Sequence, residues 1–239
     1  MTDVVVNLLC AGAAQGLVKS LQARFEGETG AALQARFGAV GVMKETLLGG
    51  AACDVMIVTD VMVVALQAAG ALDAQPRAPL GRVRTGVAVR AGEPLPDIAS
   101  PQALKASLLA ASAVYFPDPQ RATAGIHFAA VLGQLGIQAE LAPRLRTFPN
   151  GATSMRELAA AAPGSIGCTQ LTEILYTPGI ALVGALPAAF ELATVYSAAV
   201  AARATHPALA HRLVRMLAGP DSRALRAGSG FEFDSTEET

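Results

Sequence analysis

Phe37-Gly-Ala-Val-Gly-Val-Met-Lys-Glu-Thr-Leu-Leu-Gly-Gly-Ala-Ala-Cys-Asp-Val-Met-Ile-Val-Thr59 is the stretch whose reading decides the fold. It reads as a strand end, a glycine-marked turn, a short amphipathic helix closed by Gly49-Gly50, and a buried strand opened by Asp54. Ala31–Arg36 supplies a strand-like entry, so the whole is one strand–helix–strand step. The same arrangement stands at Val4–Phe25: an apolar strand, the small-residue turn Ala11-Gly-Ala-Ala-Gln-Gly16, then a helix. Each turn presents the unpaired N–H groups and the positive end of a helix start, where an anion is favoured.

Working outward, the alternation continues. Helix Gly16–Glu28 ends at Gly30, strand Ala32–Phe37 leads to helix Val42–Leu48, and strand Asp54–Val58 leads to helix Val61–Ala69 with Thr59-Asp60 as its capping pair. That order predicts a parallel sheet covered by helices, an α/β fold. Gln75–Pro79 is a proline-marked break before strand Gly81–Arg90. A second series follows: a helix from Ser100-Pro101, strand Ala113–Phe116, the loop Pro117–Gly125 into helix Ile126–Leu135, helix Met155–Ala161 opened by Asn150–Ser154, strand Ser165–Thr169, a helical turn Gln170–Leu175 and strand Ile180–Val183. Thr194–Ala202 reads as a strand that returns the chain, and the helices around His206–Leu217 and Ser222–Ala227 end it. The expectation is two lobes, residues 1–84 with 195–239 and residues 85–194. Two crossings between them would leave a hinged cleft of the kind in which α/β proteins bind ligands.

Composition narrows the function. The chain has 239 residues, 52% of them hydrophobic and 15% charged, with a net charge of −1. No apolar run approaches the ~20 residues of a membrane helix, and no basic cluster suggests nucleic acid. Three cysteines, Cys10, Cys53 and Cys168, have neither disulfide nor metal spacing and read as small buried thiols. No cofactor motif occurs: there is no phosphate loop, dinucleotide fingerprint, zinc motif or serine-hydrolase elbow. The acidic end, Glu232–Glu238, reads as a solvated tail. The first residues lack a basic region and a cleavage site. Either the protein works in the cytoplasm, or a leader was replaced by Met1 and the protein is periplasmic.

Ala11–Gln15, Phe25-Glu-x-Glu-Thr-Gly30, Phe37–Gly41, Gly49–Val55, Asp118-Pro through Gly125, Leu132–Gly136 and Gly230-Phe231 occur in order along nearly the whole chain. Together they resemble the type 2 periplasmic-binding-protein superfamily, above all the molybdate-binding proteins of ABC transporters. The resemblance implies a two-lobed fold, a small anionic ligand and, after export, an ABC permease as partner. Molybdate-binding relatives place serine hydroxyls in the first two turns; here those places read roughly Ala13 and Ala39-Val40, and Thr169 stands for an expected tyrosine. Losing several donors at ~1.5–3 kcal/mol each argues against molybdate and for a di- or tricarboxylate. Thr123–Phe128, Thr169–Ile174 and Thr194–Ser197 resemble the branch that contains aconitate isomerase, an enzyme that shifts an allylic proton without a cofactor.

Candidate ligand contacts follow from the turns and the resemblance. In the first lobe they are Ala13, Gln15, Gly16, Val40 and Gly41, with Gly38 as a turn glycine. Arg84 is the best placed of Arg82, Arg84 and Arg90, which share one strand face. In the second lobe they are Arg121, Thr123 and Gly125 before a helix, Thr153 and Ser154 as helix caps or ligand donors, and Thr169 and Gln170 after a strand. An arginine suits a carboxylate through two parallel hydrogen bonds. His127 in a helix first turn and Glu173 are the candidate bases; each reads equally as a packed or paired structural group. Tyr115 and Tyr196 read as core residues, and His206 and His211 as surface ones. Three functions remain open: a carrier of a small carboxylate, an isomerase of a polycarboxylate, and a ligand-sensing module of the kind found in LysR-type regulators.

Overall fold

Val6, Leu8 and Cys10 are fully buried and make β1 (Val5–Ala11) a central strand. A short 3-10 turn, Gly12–Ala14, leads to α1 (Gln15–Thr29), which buries Leu17, Val18, Leu21 and Phe25 along one face. It ends at Gly30, whose φ of 68° is open to glycine at no steric cost. Then come β2 (Ala32–Gly38), α2 (Val40–Leu48), β3 (Val55–Thr59), α3 (Asp60–Ala68), β4 (Ala78–Arg90), α4 (Pro101–Ala110), β5 (Val114–Pro117), α5 (Thr123–Gln134), α6 (Gln138–Leu141), β6 (Leu145–Phe148), α7 (Gly151–Ala159), β7 (Ile166–Gln170), α8 (Leu171–Tyr176), β8 (Ile180–Ala185), β9 (Ala193–Val200), α9 (Pro207–Ala218) and α10 (Arg223–Gly228). The computed structural model describes residues 4–74 and 77–233. Parts of the proline break and of the acidic tail, and the first three residues, lie outside them.

Two units form: Met1–Val83 with Thr194–Thr239, and Arg84–Ala193. In the first, β1, β2 and β3 are parallel in the order β2-β1-β3, and β9 pairs antiparallel with β3. Asp54, 1% exposed, staples this unit. Its carboxylate accepts from the backbone N–H of Asn7 at the start of β1 and from that of His206 before α9. In the second, β7 lies between β4, its antiparallel partner, and β5, its parallel one. β6 pairs parallel with β5 and β8 antiparallel with β4. One face of this sheet packs Val87, Val89, Ile166 and Cys168 against Phe128, Val131 and Leu132 of α5; the other packs Ala88 against Met155, Leu158 and Ile174.

Several expected boundaries move. α5 begins at Thr123, three residues before the expected Ile126. Asp118 Oδ1 accepts from the N–H groups of Gln120 and Arg121, so the preceding turn is complete by residue 121. α7 begins at Gly151, four residues early, because Asn150 and not Thr153 or Ser154 is its cap: Asn150 Oδ1 accepts from Thr153 N–H at 2.8 Å. Glu232 is no frayed tail. Its backbone exchanges two hydrogen bonds with Arg82, of 2.7 and 2.8 Å, and the ring of Phe233 lies under the guanidinium of Arg223.

Candidate ligand-binding site

In the first unit the register sets the geometry. Ala11 at the end of β1 is the direct partner of Gly38 at the end of β2. The starts of α1 and α2 therefore leave adjacent parallel strands at one level. Ala14 caps α1 and Ala39 caps α2, and neither makes a side-chain capping bond. Gln15 and Gly16 are the first two residues of α1, Val40 and Gly41 the first two of α2. Ala13 is buried in the turn before α1 and brings a methyl group where a hydroxyl would donate. Both helix starts offer an anion backbone N–H groups and dipole, with no side-chain donor from the turns.

The third helix start of this unit differs. Thr59 Oγ1 accepts from Met62 N–H, and Asp60, the first residue of α3, brings a carboxylate. Ser197 Oγ donates to Asp60 Oδ1 at 2.6 Å, and the Arg77 guanidinium beside it holds the Asp60 carboxyl below the usual range. Sequence reading took Asp60 only as half of a capping pair and passed over Arg77. A carboxylate at a strand's C-terminal end followed by a helix was the signal available for it.

In the second unit, α5 starts without a side-chain cap at Ala122. Thr123 is half-buried in its first turn and Arg121 is exposed just before it. Gly125 is required: a Cβ there would collide with the carbonyl oxygens of Pro117 and Asp118, on which the helix start rests. His127 Nε2 lies 2.7 Å from the carbonyl oxygen of Phe190. A carbonyl only accepts, so Nε2 carries the proton, and in the neutral ring the lone pair is on Nδ1.

The start of α7 is already occupied. The Glu173 carboxylate, 6% exposed as a residue, accepts from Thr169 Oγ1 at 2.6 Å and from the backbone N–H groups of Gly151, Ala152 and Gln170. Burial pushes its carboxyl up from the ordinary range, against the opposing pull of these four donors. Its partners are thus a hydroxyl and backbone amides. Thr153 Oγ1 accepts from Arg156, while Ser154, fully buried, has no partner for its hydroxyl among the described residues. Gln170 at the end of β7 and Thr85 in β4 are buried, with side-chain polar atoms that no group satisfies, and so is Thr172. Thr85 has no signal in the sequence and becomes visible only through its pairing with Gln170.

Other residues singled out from the sequence have their own surroundings. The Arg90 guanidinium sits on Glu93 and on the carbonyl of Ala161. Arg84 is half-buried at the first position of the second unit. Tyr115 stacks on Phe148, and Tyr196 is buried. All three cysteines are buried free thiols; burial pushes Cys53 up to about 12 and raises Cys10 and Cys168 as well. None of the three is a nucleophile in this state. Among the described residues no group of three or more His, Cys, Asp or Glu is placed to hold a metal ion, and no helix is long and apolar enough to cross a membrane.

Residues 6–232 match the family model described as bacterial extracellular solute-binding protein. The chain is 26% identical over 235 residues to an aconitate isomerase of a Pseudomonas species, covering 95% of this chain and 87% of that protein. Among solved structures, the periplasmic molybdate-binding protein of Azotobacter vinelandii superposes with a TM-score of 0.77 at 19% identity, over 96% of this chain and 100% of that one. The sulfate-binding protein of Mycobacterium tuberculosis gives 0.75 at 19% identity, over 98% and 88%. At these identities the two structures establish the α/β fold of periplasmic binding proteins and nothing about the ligand.

Proposed function

We propose, because the chain belongs to the bacterial extracellular solute-binding protein family, that it binds a small carboxylate, a di- or tricarboxylate in preference to molybdate. The observation that carries this reading is the pair of helix starts at α1 and α2, which leave paired residues Ala11 and Gly38 with no side-chain cap. Ala13 and Ala39 bring no hydroxyl to a tetrahedral dianion, so at these two helix starts the oxygens of the ligand meet backbone N–H groups alone, an arrangement that suits the spread charge of a carboxylate. Similarity to an aconitate isomerase over 95% of the chain supports a polycarboxylate. A carrier of this kind hands its ligand to a membrane permease. Titration with tricarballylate, succinate, molybdate and sulfate tests the reading: the carboxylates bind and the inorganic dianions bind at least tenfold more weakly, and the reverse order sinks it.

A second reading, an isomerase like the Pseudomonas relative, is favoured by His127. With Nε2–H tied to Phe190, Nδ1 is the basic atom. It would take an allylic proton from one carbon of aconitate while the double bond shifts, and a proton would return at the other end of the allyl system, with no net redox change. Proton NMR of trans-aconitate in D₂O with a trace of protein decides this. The cis isomer with deuterium at the allylic carbon establishes turnover; an unchanged spectrum under saturating ligand removes it.

A further inference from the structure

Gln170 is 2% exposed, and among the described residues neither its Nε2 nor its Oε1 has a partner; Thr85 is 1% exposed, and its Oγ1 has none there. Exchanging the amide's oxygen and nitrogen changes nothing, since both are open. The two residues are direct cross-strand partners on β4 and β7, so their side chains share a face and lie about 5 Å apart at Cβ. Two residues on from Thr85 in β4 and two residues before Gln170 in β7, Val87 and Cys168 lie on that same face and pack with Phe128 and Val131 of α5.

The level along the strands is fixed too. β5 and β7 are parallel with Val114 opposite Ile166 and Tyr115 opposite Gly167, so Asp118, just after β5, and Gln170, at the end of β7, lie toward the same end of the sheet. Gly125, in the first turn of α5, rests on the Asp118 carbonyl. The open amide and hydroxyl therefore stand level with the uncapped start of α5, on the side of the sheet that α5 covers.

A buried polar atom left without a partner costs stability, and a ligand that satisfies it recovers that cost. Helix N–H groups and Gln170 Nε2 are donors, and a carboxylate or an inorganic oxyanion answers them. Gln170 Oε1 is an acceptor, and a ligand made only of acceptors leaves it unpaired against a facing oxygen. Thr85 Oγ1 can do either. The set asks for an acceptor and a donor side by side.

We infer that the ligand received at the start of α5 is a hydroxycarboxylate, its carboxylate on the α5 N–H groups and Gln170 Nε2, its hydroxyl donating to Gln170 Oε1 beside Thr85. The inference rests on the carboxylate reading above and narrows it. It favours a carrier of a hydroxylated acid over an enzyme acting on aconitate, which has no hydroxyl to offer.

Matched acids test it: citrate against tricarballylate and malate against succinate, titrated at pH 7.5 by calorimetry and followed by the side-chain amide signals of Gln170. Citrate or malate binds at least about tenfold tighter than its partner without the hydroxyl. The Gln170 amide shifts with the hydroxy acid and little with the other, a reading that needs no variant. In Gln170→Met the ratio within each pair falls to about one. Equal affinity within both pairs overturns the inference and leaves the carboxylate reading standing. Failure of all four acids to bind overturns the carboxylate reading, and the inference with it.

Discussion

The starts of α1 and α2 in the first unit and the start of α7 in the second are built from similar small residues, yet they end differently. Ala14 and Ala39 leave their helices bare, whereas α7 carries the chain's own carboxylate, Glu173, on its first two N–H groups. At α3 the Thr59 hydroxyl takes the Met62 N–H and Asp60 adds a carboxylate to the first turn. A helix start receives an external anion only where the chain has not supplied an internal one. Of the helix starts compared, those of α1, α2 and α5 are bare and those of α3 and α7 are filled.

The largest effect expected of a single change lies at the filled start. Gly151→Ala drives a methyl group into the Glu173 carboxylate and the Thr169 hydroxyl and should cost about 3 kcal/mol in urea unfolding; a cost below 1 kcal/mol would mean that Glu173 is not fixed there. Glu173→Ala orphans the Gly151 and Ala152 N–H groups and should cost about 2 kcal/mol. Formate at tens of millimolar should restore part of that loss by refilling the pocket, and should leave the wild type unchanged.

Protonation sharpens the same comparison. A buried acid whose folded pKa is raised holds its proton better folded than unfolded. Its favourable share is fully present below the ordinary carboxylate pKa and is lost as pH rises through the folded value. Glu173→Gln keeps an acceptor without the charge, so it should gain on the wild type in thermal midpoint between pH 4 and pH 8. A gap that shrinks with rising pH would show that the four donors outweigh burial and that Glu173 is an ordinary ionised carboxylate.

A smaller effect is expected at the bare starts. Ala13→Ser with Ala39→Ser returns two hydroxyls to the turns before α1 and α2 and should tighten molybdate binding about tenfold. No gain would mean that these turns do not face the ligand. The smallest belongs to Asp60→Asn, since Arg77 is 41% exposed on its side chain and solvent screens the pair. It should cost under about 1 kcal/mol at pH 7. Because the Asp60 pKa is lowered, that cost should vanish as pH falls through the folded value.

The two bare turns were legible in the sequence because their chemistry is local: small residues, glycines and a following amphipathic run all lie within a dozen positions. The filled start was not. Glu173 reaches Gly151 across 22 positions, and nothing in either segment alone shows that a carboxylate from α8 will sit under α7. Glu173 was therefore read for its charge, and Thr153 and Ser154 for their capping propensity, when Asn150 held the cap. The sequence places Thr123 in the loop Pro117–Gly125; the side chain of Asp118 closes that turn in three residues. Thr85 lay unremarked between Arg84 and Gly86. Its weight comes from facing Gln170, and strand register across 85 positions is a tertiary fact.

The pairing of β3 with β9, residue 55 opposite residue 200, has a consequence for synthesis. The second unit is one uninterrupted run, Arg84–Ala193, and the whole of it leaves the ribosome before β9 exists. During that interval β3 is an unpaired sheet edge, and the Asp54 carboxylate lacks its contact with His206. The first unit to be translated is thus the last to be completed, and its apolar strand Val55–Thr59 is the segment of the nascent chain most exposed to mispairing.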